Sequence, residues 1–376
     1  VNAVAGGQIT ALLSLLDQEP LKLISKAGQS ITMADGRARA KGGIGWVMQR
    51  NLPADAVRFD VAGTLSDVRS ESLVPGRVLA AKSLSASAKN GELVISGDGR
   101  IDTVPFSGKF SAPLGKGEGK STVTGSIELS PKSVKAFNIG LPNGTVTGRG
   151  LGAVDISFAK GRQPTFALTS NLSGVGLRIP QIGWSKGAKS KGKLSVKGSF
   201  GSPMQIDSIV LAAAGLDARG NVRLDSGGTF KEASFDRVTV GRWLDVPVKF
   251  VSRGKGRVPT IEVNGGKIDL SRTSFSSGGG GGAGGGPITA RLGELKISEG
   301  IVLTGFQGKF NTARGFEGSF NGLVNGKAPI KGRVVPQNGR SAFQISSNDG
   351  GRVLAAAGLL KNAAGGEMTL TLAPAK

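Results

Sequence analysis

The chain of 376 residues contains no cysteine, no histidine and no tyrosine. Without cysteine there is neither a disulfide framework nor a thiol nucleophile, and without histidine no Ser-His or Cys-His relay can be assembled. The usual zinc ligands are lost with them. Carboxylates, lysine and serine remain as possible catalysts. Asp155, Asp207, Asp225 and Asp269, however, stand singly along the chain, and spacing pairs none of them for acid-base work. No D-x-[DN]-x-[DN]-G loop offers oxygens to calcium. The expectation is a protein that is not an enzyme and holds no metal or cofactor.

Other absences narrow the field further. No apolar run is long enough to span a bilayer; Ile9 to Leu16 is short and stops at Asp17. There is no signal-peptide pattern, and the first residue is Val1, so the sequence reads as an internal piece of a longer protein. Gly115 to Ser121 has the look of a phosphate loop, but Leu114 stands where its first glycine belongs and the residues that follow read as strand. A charged turn is the expectation there. Three tryptophans, Trp46, Trp184 and Trp243, suit packing better than a binding cage, and with no tyrosine beside them they offer no base-stacking platform.

What the chain has in abundance is glycine, 62 residues without a G-X-Y period. Scattered among Val, Ile, Phe, Thr and Ser, it suits many short strands joined by tight turns. Residues 8–27 read as helix, with Ile9, Leu12, Leu13, Leu16 and Leu23 near one stripe and Pro20 dividing it. From about residue 31 the period becomes two: Val57, Phe59 and Val61; Leu84, Ala86 and Ala88; then Leu93 and Ile95 after an Asn90-Gly91 turn. Val123, Ile127, Val146, Val154, Ile156, Phe166 and Leu168 continue it, as do Leu194, Val196 and Phe200. The clearest stretch is Phe316-x-Gly318-x-Phe320-x-Gly322-x-Val324, whose alternate residues are mostly polar. Residues 276–286 form a glycine-rich linker or loop, and residues 349–361 read as a short helix capped by Asn348 or Asp349, with Val353, Leu354, Ala357 and Leu360 on one face.

A formal net charge of +22 calls for an anionic partner, either nucleic acid or an anionic membrane. The basic residues are spread singly, as at Lys197, Arg219, Arg223, Lys327, Lys331 and Arg333, with one denser group at Lys186, Lys189, Lys191 and Lys193. Dispersed charge on outward strand faces is the expectation.

Three segments resemble a known family. Residues 173–187, SGVGLRIPQIGWSKG, are similar to the segment that precedes the C-terminal region of YhdP-type proteins. Residues 338–374, including ISSNDGGRVL, AGL and GGEM, resemble that AsmA-like C-terminal region itself, and Ala233 to Val238 also fits. The resemblance divides the chain into a YhdP-type central β-rich region, 1–200, and an AsmA-like region, 201–376. It implies a bacterial envelope protein, anchored in the inner membrane by a segment not in this chain, that extends through the periplasm as a long β-groove. It further implies phospholipid transport between inner and outer membranes, with acyl chains in the groove and headgroups in water.

The expected fold is therefore mostly β, an elongated, twisted antiparallel sheet forming a groove, taco-like or solenoid-like. The alternating apolar residues Phe306, Phe310, Phe316, Phe320, Ile330, Val334, Phe343, Ile345, Leu370 and Leu372 are the candidate lipid-contacting set. Positive charge along the rim would favour anionic headgroups. Phospholipids and the two membranes are the expected partners, nucleic acid is not, and the oligomeric state and any partner protein are left open. An exported structural or adhesive β-solenoid is the alternative, followed by a basic nucleic-acid binder, which predicts exposed aromatics on a basic face and steep salt dependence.

Overall fold

The computed structural model describes residues 2–19, 22–26, 28–45, 58–89, 91–114, 120–254, 256–273, 285–337 and 340–373. Strand makes up 60% of the chain and helix 8%, so the helices can only cover parts of a sheet and cannot form a layer of their own. The protein is mostly β, and its strand pairings are mostly antiparallel. Two compact units emerge: Val1–Leu177 with Gly187–Lys191 and Lys197–Gly201, and Arg178–Lys186 with Gly192–Val196 and Ser202–Lys376.

The first unit opens on β1 (Asn2–Gln8), then α1 (Ile9–Leu16) and α2 (Leu23–Lys26). β2 (Asp35–Gly45), β3 (Arg58–Ser70), β4 (Leu79–Lys89) and β5 (Glu92–Ile101) follow. β6 (Val104–Pro113), β7 (Ser121–Leu129) and α3 (Pro131–Ala136) come next. β8 (Val146–Gly148), β9 (Gly150–Phe158) and β10 (Thr165–Ser170) complete it. Strands β1 to β7 pair in sequence order and antiparallel, β7 passes to β9, and β9 to β10. This is a meander, the topology that short turns between period-two runs produce. The glycine of the Asn90-Gly91 turn joins β4 to β5 in the left-handed region, φ 76°. The helix read over 8–27 is two short helices, and the strand β1 lies in front of them; Pro20 is outside the described residues.

Three short strands, β11 (Val175–Ile179), β12 (Trp184–Lys186) and β13 (Lys193–Ser199), fall where the sequence is divided between the units. Residues 175–177 of β11 pair with β8.

The second unit contains β14 (Gln205–Ala213), β15 (Leu216–Leu224), β16 (Phe230–Val240), β17 (Leu244–Val251), β18 (Thr260–Asn264) and β19 (Lys267–Asp269). β20 (Pro287–Ser298), β21 (Ile301–Asn311), β22 (Glu317–Val324), β23 (Ala328–Gln337), β24 (Arg340–Ser347), α4 (Gly350–Ala356) and β25 (Met368–Leu372) follow. Antiparallel pairing runs from β14 to β18 and again from β20 to β25. Between these runs β20 lies parallel to both β18 and β19. A parallel neighbour requires a return connection along the sheet, and the glycine-rich tract falls in that connection. Residues 274–284 are outside the described set, and the strands on both sides of the tract belong to the same unit.

Candidate functional site

Register decides which side chains share a face. In the second unit one cross-strand rank reads Ile206, Val222, Ala233, Phe250, Ile261 and Ile288 across β14 to β20, omitting only the short β19. It continues through Phe310, Gly318, Val334, Phe343 and Leu372 across β21 to β25. The adjacent rank runs through Phe235, Val248, Val263, Ala290, Gly308, Phe320, Gly332, Ile345 and Leu370. Every member of both ranks is apolar or glycine, so this face is apolar from strand to strand. The cause is strict alternation: along β23, residues Ala328 to Val334 are buried and exposed in turn.

The glycines in these ranks leave room for rings. A Cβ on Gly332 would collide with the ring of Phe320, and one on Gly308 with the ring of Phe310. Phe320 thus lies over a glycine of the next strand and Phe310 over one of its own, and the space they leave lets the rings come close enough to stack. Phe306 lies 5.6 Å from Phe320 and 6.4 Å from Phe310, and Phe310 lies 4.9 Å from Phe316, all within the usual range for aromatic pairs.

Depth changes along the stack. Phe306, Ile330, Leu292, Leu303 and Val324 are buried in one cluster, with Val353 of α4 among them and Ala356 and Ala357 packed against it. Phe310, Phe320, Phe343 and Ile345 are half-buried. Phe316, Leu370 and Leu372 are 38%, 43% and 49% exposed. The face is therefore closed by α4 over one part and open over another. Nine of the ten sequence-predicted residues share it by register, and Phe316 joins through its stack on Phe310. Phe306, Ile330 and Val334 form the packed floor and do not line the surface. The candidate set leaves out Ile206, Val222, Phe250, Ile261 and Ile288, whose signal is the same period of two and of which Ile261 was legible as part of an alternating strand. It also extended the final helix too far: α4 ends at Ala356, and Leu360 lies beyond it, 54% exposed.

Asp349 sets α4 in place. Its carboxylate accepts from the amides of Arg352 at 2.9 Å and Gly365 at 2.7 Å, tying the helix start to the chain that leads into β25. These backbone hydrogen bonds hold its pKa below the ordinary aspartate value. A carboxyl with a lower pKa folded than unfolded stabilises the fold above the unfolded pKa, and that contribution disappears as pH falls through the folded one. Acidification below the usual carboxylate range should accordingly loosen α4 ahead of the sheet. Hydrogen exchange of the 349–366 peptide, measured against Asp349→Asn across acidic pH, checks this; identical pH profiles for the two proteins would rule it out.

The first unit repeats the arrangement. One rank reads Ala40, Gly63, Ala86, Ile95, Phe110, Val123, Ile156 and Phe166 across β2 to β10. Ile95, Phe110, Val123, Ile156 and Phe166 are all half-buried. Among the described residues α1 covers one part, where Ile9 is buried with Ala38, Val68 and Ala81 and where Leu12 and Leu13 pack against them, and α3 lies against β6 and β7, where Val104 is buried.

The opposite faces carry the charge. Arg291, Lys309, Lys331 and Arg333 are exposed on the side away from the phenylalanines, as are Arg39 and Lys109 in the first unit beside Thr64, Ser85 and Ser96. The mid-strand cations do not form a rim to the apolar face, because alternation puts them on its reverse. Ion pairs link some of them: Glu232 lies 2.8 Å from Lys249 and 3.2 Å from Arg223, and the Lys249 hydrogen bond foremost keeps its carboxyl below the usual glutamate value. Lys186 departs from its basic group, being only 2% exposed, and burial lowers its ammonium pKa. Trp184 is packed, 5% exposed, with Nε1 donating to the Ala214 carbonyl at 3.0 Å. Trp46 is outside the described residues, as are residues 115–119 of the phosphate-loop look-alike; β7 follows that segment as a strand. Among the described residues no group of three or more acidic side chains is placed to hold a metal, and no helix is long and apolar enough to cross a membrane.

No family model, no curated protein and no solved structure matches the chain.

Proposed function

We propose that the apolar sheet faces carry the acyl chains of phospholipids, with no chemical step. The observation that supports this most is the apolar face of the second unit, whose first rank is unbroken from β14 to β25 except at β19 and on which Leu370, Leu372 and the stacked Phe316 remain well exposed. A water-soluble sheet normally covers such a face with a second layer. Here the described residues provide short helices over parts of each face. A two-chain lipid of roughly thirty methylenes costs about 25 kcal/mol to expose to water, at ~0.8 kcal/mol per methylene. An apolar track offsets that cost without any catalytic group.

This reading agrees with the AsmA-like, YhdP-type resemblance, under which the protein would work in the periplasm, anchored at the inner membrane, and pass phospholipids between the inner and outer membranes. Native mass spectrometry of protein purified without detergent is the direct test. Bound masses matching phospholipids are expected, and a lipid-free chain after extraction from a membrane-containing lysate would count decisively against the proposal.

A further inference from the structure

A second apolar feature belongs to a loop and not to a strand. After α3 the chain makes a loop, residues 138–144, in which every residue is exposed, including Ile139 at 54% and Leu141 at 43%. Two aliphatic side chains in one short loop would ordinarily fold inward. Hydrogen bonds prevent this: the Phe137 amide donates to Ser133 O at 2.9 Å, Ile139 N to Val134 O at 3.0 Å, and Thr145 N to Pro142 O at 3.1 Å. Asn138 and Gly140 take left-handed conformations, φ 49° and 73°, which turn the chain outward. The base is fixed as well. Ser130 and Ser133 form a capping box at the start of α3, and the Arg77 guanidinium stands 5.8 Å over the Phe137 ring.

Along the sequence the charge flanking this loop has one sign, and the carboxylates nearby in space are engaged, Asp102 with Arg77 at 3.3 Å and Glu128 with Arg149. Between Glu128 and Asp155 there is no acidic residue, while Lys132, Lys135 and Arg149 fall in the interval. Arg149 is paired with Glu128 at 3.1 Å. Lys132 and Lys135 are exposed on α3, and among the described residues no carboxylate pairs with either. Rigidly displayed aliphatics flanked by unpaired lysines fit an anionic bilayer interface, where the apolar tips enter the acyl boundary and the ammonium groups remain at headgroup level. A protein partner would more often be met by an aromatic or arginine anchor, and the loop has neither.

We propose that the α3 loop is a membrane-docking finger that inserts Ile139 and Leu141 into anionic lipid surfaces. This goes beyond the acyl-carrying reading and does not depend on it, since a carrier could reach a membrane by another segment and a docking finger needs no carrier. The chain has no cysteine, so Leu141→Cys gives a single labelling site for a polarity-sensitive fluorophore, with Thr124→Cys on the polar sheet face as the reference. Mixing with phosphatidylcholine vesicles containing phosphatidylglycerol should shift the emission at residue 141 to the blue and expose it to quenchers buried in the bilayer, while residue 124 stays aqueous. Ile139→Ser with Leu141→Ser should weaken vesicle sedimentation by at least about tenfold, and Lys132→Glu with Lys135→Glu should do the same on anionic vesicles only. Because all four side chains are exposed, circular dichroism should report an unchanged fold.

Two results overturn the proposal: no vesicle binding, or binding in which the residue 141 label stays in water, as it would if the basic sheet face alone made contact. The co-purified lipid of the serine variant separates the two readings, for it should match that of the parent whether or not docking is lost.

Discussion

Phe310→Asp combined with Phe316→Asp should remove bound lipid and leave the protein folded. The two rings stack at 4.9 Å where the apolar face of the second unit is open; Phe316 is 38% exposed and Phe310 half-buried. A carboxylate at the exposed position 316 keeps its water and one at the half-buried position 310 keeps part of it, so the fold is spared most of the cost of burying a charge. An acyl chain lying along the rank could not pass them without desolvating both. If about five methylenes lose their apolar contacts, the loss is about 4 kcal/mol, or roughly a thousandfold in affinity. Phospholipid recovered per chain should fall to background by mass spectrometry, and displacement of a fluorescent acyl probe should show the same loss. Lys309→Asp with Arg333→Asp changes charge more but lies on the reverse face, and it should retain its lipid. If the phenylalanine variant kept its lipid and the reverse-face variant lost it, the carrier surface would be the basic face.

That experiment depends on knowing which side chains share a face, and much of this is written in the sequence. The run from Phe316 to Val324 alternates so cleanly that strand, apolar side and polar side all follow from a period of two. The same alternation placed Lys331 and Arg333 on an outward surface. Alternation with Ile330, Gly332 and Val334 also puts that surface on the reverse of the apolar face, so the expectation of a basic rim did not follow from the pattern. Nor does the F-x-G-x-F pattern show that Phe320 lies over Gly332 and not over another glycine. Cross-strand register settles that, and register is a long-range property.

Other features were hidden for identifiable reasons. Asn2–Gln8 has a glycine pair and a single large apolar residue, Val4, so its pairing with β2 gives no periodic signal. The parallel return of β20 depends on the path of the connection, and a glycine tract is compatible with either direction. Lys186 looks like its neighbours Lys189 and Lys191, yet only its side chain is withdrawn from water. The α4 boundary was overrun because Leu360 continues the helical stripe of Val353, Leu354 and Ala357 by spacing. Gly358, at φ 75°, takes the left-handed conformation that ends a helix, and its amide donates to Ala355 O at 3.0 Å.

The contrast between floor and surface yields the sharpest stability prediction. Phe306 is 6% exposed and sits in the cluster that joins β20 to β23 with α4, with Phe310 and Phe320 stacked around it. Phe306→Ala removes a buried ring from a site whose neighbours are backbone-anchored in the sheet, so the space cannot collapse easily, and the expected cost is about 3 to 5 kcal/mol. Against a typical domain stability of roughly 5–15 kcal/mol this would lower the denaturant midpoint severely. Phe316→Ala removes the same ring from the open part of the same stack and should cost less than about 1.5 kcal/mol, because much of that ring is in water already. Trp184 and Trp243 both lie in the second unit and report its unfolding by fluorescence. Equal losses for the two variants would mean that the open part of the face is packed as tightly as the floor, and an apolar face sealed in that way would have no surface left for an acyl chain.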